Sequence, residues 1–116
     1  MIPSDLLKGS LKSIVLKMLA DEKRMYGYEI TQRVEELSDG KIKLTFGALY
    51  PILHKLETDG LVKTESEIVN NRNRIYYSLT KKGQSTAKEK VKELEDFINT
   101  LRTMINPKPD PALCKA

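Results

Sequence analysis

Two stretches of this 116-residue chain concentrate groups able to make hydrogen bonds and ion pairs outward. In the first, GALYPILHKLE, the residues Leu49, Ile52, Leu53 and Leu56 fall at i, i+3, i+4 and i+7 and mark the inward face of a helix. The opposite face presents Gly47, Tyr50, Pro51, His54, Lys55 and Thr58, a mixture of polar and apolar contact groups with little reason to be buried. Such a face suits the major groove of a duplex. Thr45, Ala48 and Tyr50 near the helix start are placed to meet base edges, and Tyr50 and Lys55 can reach phosphates. The second stretch is NNRNR, where Arg72 and Arg74 stand among Asn70, Asn71 and Asn73 with no acidic residue between them. Their guanidinium groups can track a phosphate backbone or enter a minor groove. Tyr26, opening another helix, adds a hydroxyl beside free amides, where a phosphate can be held.

Bond-making chemistry is not expected. His54 is the single histidine and lies beside Lys55, with no nucleophile implied nearby, no Gly-rich phosphate loop and no carboxylate pair suited to acid-base work. No catalytic residue is therefore assigned and the chain is read as a non-enzyme. Cys114 is the lone cysteine, so neither a metal site nor an internal disulfide is expected, and no cofactor. A net charge of +4 and a pI near 9.1 allow an anionic partner without requiring one. SLKSIVLKMLA is too interrupted by lysines for a leader or membrane span, its longest apolar run being Ile14-Val15-Leu16, so a cytoplasmic protein with no membrane partner is expected.

Pro51 sits awkwardly in its helix, because proline removes one backbone hydrogen bond and crowds the carbonyl four residues earlier, at about 3 kcal/mol. Here that carbonyl belongs to Gly47. One explanation is that Pro51 bends the opening turn outward while Gly47 admits close backbone approach to DNA. The other is that Pro51 merely lies near a frayed helix start, where missing amide bonds cost little.

The elements that must position these groups follow from periodicity. Leu7, Leu11, Ile14, Val15, Met18 and Leu19 predict a first helix over about 4–21, with Ser4 as its cap. YGYEITQRVEEL predicts a second, with Tyr28 in the core, stopping at Ser38-Asp39-Gly40. The alternation of Ile42 and Leu44 with lysines predicts a short strand in KIKLT. After the Pro51 helix, residues 61–69 and 75–79 read as two strands joined by NNRNR as a polar turn, in which Asn70 and Asn71 suit a tight reversal. Thr80 caps a last helix, in which Ala87, Val91, Leu94, Ile98, Leu101 and Ile105 form a heptad seam widened by Phe97 and Met104. That seam is too apolar for water and predicts a homodimer, with the helix packed on a partner helix and the partner's first helix rather than in a bare two-stranded coil. Leu7, Leu11, Phe97, Leu101 and Met104 can then line a cleft for a flat apolar or aromatic effector. The expected fold is mainly α with a small β-hairpin: a winged helix-turn-helix over 1–80, a dimerisation helix over 81–105 and an extended tail over 106–116.

Four segments, LLKGSLKSIVLKMLA, YGYEI, GALYPILHKLETDGLV and RNRIYYSLTKKG, resemble the PadR family of bacterial transcriptional regulators in its short form with a single C-terminal helix. The resemblance covers residues 6–83. It implies a homodimeric repressor on a palindromic double-stranded DNA operator, with Thr45 to Asp59 as recognition helix and residues 69–74 as wing. Ala48 and the Asn70-Asn71-Arg72 turn depart from the family's usual residues, so the operator sequence is not implied. A winged helix that binds protein or RNA without operator specificity is the competing reading.

Overall fold

The computed structural model describes residues 2–107. In chain order the elements are α1 (Ser4–Leu7), α2 (Leu11–Asp21), β1 (Met25–Tyr26), α3 (Gly27–Leu37), α4 (Phe46–Thr58), β2 (Val62–Val69), β3 (Arg72–Leu79) and α5 (Lys81–Ile105). The strands form one antiparallel sheet in the order β1-β3-β2. This is the mainly helical winged-helix architecture with a C-terminal helix that the sequence pattern predicts, with one added strand.

The core gathers where α2, α3 and α4 meet and the base of the sheet closes over them. Val15, Leu16, Ile30, Leu49, Leu53 and Leu56 are completely buried there, and each such side chain contributes about 1.5–3 kcal/mol of transfer free energy. The stripe on α4 lies as its spacing requires, with Ile52 half-buried at its margin. Both ends of α4 are closed. Thr45 Oγ1 accepts the Ala48 N–H at 3.2 Å, and Gly60, at φ +74°, lets the Leu61 N–H return to the Leu56 carbonyl at 2.9 Å.

Several expectations need correction. The first helix is broken at 8–10, where Ser10 N–H bonds the Leu7 carbonyl at 2.8 Å and Ile14 N–H restarts the ladder on Ser10 at 3.0 Å; Gly9 and Ser10, both weak helix formers, account for the break. Ser4 is the first helical residue, and Pro3 stands at the cap position without a side-chain bond. KIKLT makes no strand: the Ile2 N–H bonds the Lys41 carbonyl at 3.0 Å, but no ladder continues from it. Ile42 and Leu44 do turn inward, on a loop held by Ser38 Oγ, which accepts the Ile42 N–H at 3.0 Å. Tyr28, expected in the core, is 53% exposed, because α3 buries Gly27, Ile30 and Val34 instead. Ala87, expected in the dimer seam, is consumed by the protomer's own core at 2% exposure.

The expected NNRNR turn shrinks to a two-residue hairpin, because Arg72, Asn73 and Arg74 pair with Val69, Ile68 and Glu67 and so belong to β3. Val69 pairs with Arg72, and Asn70 and Asn71 take φ of 51° and 63°, the left-handed pair of a type I′ turn that asparagine tolerates. Along β3 the inward face grades from exposed Ile75 through half-buried Tyr77 to buried Leu79.

Helix α5 is fastened to the end of α4. Thr80 Oγ1 accepts the Gly83 N–H at 3.0 Å and donates to the Gly60 carbonyl at 2.7 Å, while the Thr80 N–H bonds the Leu61 carbonyl at 3.0 Å. Lys82 Nζ donates to the Asp59 carbonyl at 3.3 Å. Its charge, unfavourable at the start of its own helix, thus faces the negative end of α4, which balances it without a bound anion. Beyond half-buried Val91 and Leu94, the residues Phe97, Ile98, Leu101, Met104 and Ile105 stand exposed. Most of the expected tail, Cys114 included, lies outside the described residues.

Candidate nucleic-acid interface

The outward side of α4 is a continuous exposed strip of Gly47, Tyr50, Pro51, His54 and Lys55. Thr45 stands exposed at its N-terminal end, with its hydroxyl used as the cap. Ala48 is half-buried against the core and offers only its margin. Phe46, which no periodic signal singles out, is 45% exposed and stacks on Tyr50 with ring centroids 5.7 Å apart. A methyl group added at Gly47 would meet nothing closer than Thr45 Oγ1 at 3.9 Å, so no internal crowding demands glycine there. Pro51 is the sixth residue of α4. The four amides that lack an intrahelical partner all precede it, so the lost bond to the Gly47 carbonyl is a real omission rather than end fraying.

Beside this strip, the arginines expected in the wing have different surroundings. Arg72 is exposed next to the turn. Arg74 is drawn in: its guanidinium lies 4.0 Å over the Tyr26 ring and Nη1 donates to the Tyr76 hydroxyl at 3.4 Å, the bond that chiefly raises its pKa above the ordinary arginine value. Tyr26 also meets Tyr76 edge-on at 5.6 Å and stacks on Tyr28 at 6.4 Å. The Tyr26 amide, expected to help hold a phosphate, donates to Glu29 Oε1 at 3.1 Å, so the start of α3 already carries a carboxylate. Burial raises the pKa of the neighbouring Tyr77 phenol, keeping it neutral at ordinary pH.

A cleft of about 660 Å³ opens between the wing and α4, with Tyr26, Tyr28, Phe46, Tyr50, Arg72 and Arg74 among its walls. Gly27 lets the two sides approach, since a methyl group there would stand 3.1 Å from the Tyr50 hydroxyl. The result is an aromatic and cationic surface continuous from α4 to the hairpin, suited to sugar, base and phosphate contacts together.

Arg24 lies in the connection between α2 and β1, where no periodic signal singles it out. Its Nη1 donates to Glu65 at 2.9 Å, its Nη2 to Glu67 at 2.8 Å, and its guanidinium covers the Tyr76 ring at 3.9 Å. Partners 41 and 43 residues away leave no local signal.

The residues assigned to the dimer and effector sites divide. Val91 lines a groove of about 690 Å³ between α2 and α5, with Leu19 and Ala87. Leu94 is half-buried, whereas Phe97, Ile98, Leu101 and Met104 project from the far half of α5. Leu7 and Leu11 are half-buried, and neither they nor Phe97, Leu101 or Met104 line that groove or the wing cleft of the single chain. Among the described residues no group of His, Cys, Asp and Glu is placed to hold a metal, and no helix is long and apolar enough to cross a membrane.

The sequence profile described as the Transcriptional regulator PadR-like family matches residues 15–89. The transcriptional regulator Rv3488 of Mycobacterium tuberculosis is 36% identical over 90 residues, covering 78% of this chain and 80% of that protein. Among solved structures, a transcriptional regulator from Clostridium thermocellum superposes with a TM-score of 0.80 at 26% identity, covering 91% of this chain and all of that one. A Streptococcus transcriptional regulator matches with a TM-score of 0.70 at 29% identity, over 87% and 97% of the two chains.

Proposed function

Because the chain belongs to the PadR-like family of transcriptional regulators, which are DNA-binding proteins, we propose that it is a homodimeric repressor of a palindromic operator. The observation that carries this reading is the exposed strip of α4 standing beside exposed Arg72 of the wing, with a cleft of aromatic side chains joining them. In this reading α4 enters the major groove, the hairpin follows the adjacent backbone, and the free part of α5 from Phe97 to Ile105 joins two copies. Two-fold symmetry then sets the paired recognition helices about one DNA turn apart, roughly 34 Å. A small apolar effector, seated where Leu7 and Leu11 of one copy meet Phe97, Leu101 and Met104 of the other, would act by favouring one separation of those helices.

The direct test is fluorescence anisotropy with a labelled duplex carrying the inverted repeat upstream of the protein's own gene. Binding is expected to exceed that of a scrambled duplex and to fall at least about tenfold between 50 and 200 mM salt. Equal affinity for both duplexes would overturn operator recognition.

Two substitutions refine the contact map. Arg72→Ala is expected to weaken binding and reduce the salt slope by about one, as the loss of one phosphate contact requires; an unchanged slope would remove Arg72 from the backbone. Pro51→Ala restores a helical hydrogen bond and is expected to raise the melting temperature by about 5 °C while weakening operator binding. Raised stability with unchanged affinity would strip Pro51 of its role at the interface.

A further inference from the structure

Arg24 sits at the lead-in to β1, outside the groove-facing strip, yet it makes more long-range polar contacts than either wing arginine. Its two arms end on Glu65 and Glu67 of β2, at 2.9 and 2.8 Å, and its plane covers Tyr76 of β3 at 3.9 Å. It therefore straps across the outer face of the sheet from one edge strand to the other. The strap reaches farther than the sheet does. Strand β1 pairs only with Tyr76 and Tyr77, whereas Glu67 lies opposite Arg74, two rungs nearer the turn. Beyond Tyr76 the hairpin otherwise projects as two strands, an arrangement of marginal rigidity in water.

A second contact extends the same support. Arg74 lies over Tyr26, Tyr26 meets Tyr76 edge-on, and Tyr76 carries Arg24 on its ring, so a pair of rings on β1 and β3 is held between two cations. Two carboxylates are an unexpected feature on a hairpin meant for DNA, since alone they repel phosphates. Held by Arg24, they become anchor points instead.

Resting on the DNA-binding reading above, we propose that Arg24 is a positioning residue that pins the wing at its binding angle through Glu65 and Glu67 and makes no contact with DNA itself. Replacing both carboxylates by neutral amides removes negative charge from the wing, yet it weakens operator binding because the strap is lost.

The test compares Arg24→Ala, Glu65→Gln with Glu67→Gln, and the combined triple variant. Arg24→Ala and the double glutamine variant are each expected to bind the operator about fivefold more weakly, the scale of two exposed ion pairs and one ring contact. The triple variant should be no weaker than either, and all should keep the wild-type salt slope. Arg24→Lys, able to reach one carboxylate at a time, should recover part of the loss. Hydrogen exchange on the free protein gives a readout independent of DNA: amides of residues 66–74 should exchange faster in Arg24→Ala while those of α2, α3 and α4 stay unchanged. Tighter binding by the glutamine variant, a flattened slope in Arg24→Ala, or unaltered wing exchange would each overturn the proposal. Failure of the wild-type protein to bind duplex DNA would instead overturn the functional reading, leaving the exchange result to decide whether Arg24 pins the wing.

Discussion

Gly83→Ala should lower the melting temperature by about 10 °C, equivalent to about 3 kcal/mol for a chain of this size. Helix propensity alone points the other way, since alanine in a helix interior is favoured over glycine by about 1 kcal/mol. Sterics decide the sign. A methyl group at Gly83 would lie 1.9 Å from the Leu61 carbonyl oxygen and 2.9 Å from its carbon, and both are backbone atoms that cannot swing aside. The start of α5 would have to lift from the end of α4, breaking the Thr80 bonds to Gly60 and Leu61. Gly9→Ala is the control, because nothing lies within 4 Å of its added methyl group; it should leave the melting temperature unchanged or slightly raised. Thermal unfolding followed by circular dichroism measures both. Equal behaviour of the two variants would mean that α5 does not dock as described.

Ile98→Lys combined with Leu101→Lys should yield a folded single chain whose operator affinity is reduced on the order of 100-fold or more, because two half-sites no longer share one tethered binder. Both side chains are substantially exposed in the protomer, at 44% and 37%, so charging them leaves the chain's own core intact. The same surface carries Phe97, Met104 and Ile105 at 56%, 71% and 73% exposure. An apolar strip of that extent is the kind of surface by which chains associate. Size-exclusion chromatography with light scattering reads the association state, and anisotropy reads the affinity. An intact dimer in the variant would place the interface elsewhere, and the obvious alternative is the groove beside Lys17, Ala20 and Val91.

Much of this arrangement is legible in the amino-acid pattern wherever local chemistry sets the structure. The Leu49, Ile52, Leu53, Leu56 stripe, the left-handed turn at Asn70-Asn71 and the cap at Thr80 depend on residues within one or two turns of each other. Their structural outcome follows from side-chain type alone. Features set by distant partners were not legible. Strand β1 exists only because Tyr76 and Tyr77 lie beside it, whereas KIKLT meets the Ile2 N–H at the Lys41 carbonyl and forms no ladder. Tyr28 has the spacing of a core residue, but Gly27 takes the inward position and turns it out. Ala87 fits the heptad as well as Ile98 does, and only the docking of α5 on the body of the chain separates their fates.

The candidate interface shows the same division. Gly47, Tyr50, Pro51, His54 and Lys55 are visible as the polar side of an amphipathic helix and are found exposed together. Phe46 lies outside that pattern and is noticed only through its stacking on Tyr50. Arg72 and Arg74 look equivalent in NNRNR and share one face of β3, yet the nearby Tyr26 ring draws Arg74 in and leaves Arg72 exposed.

In the proposed assembly two copies, joined through the far half of α5, grip one duplex with paired α4 helices and wings. Sedimentation velocity of the 13.2 kDa chain, alone and with the inverted-repeat duplex, decides whether it forms. A dimer at micromolar concentration that adds to the duplex as one unit, two chains per operator, is the predicted result. A single chain that leaves the duplex boundary unmoved in dilute buffer would contradict it.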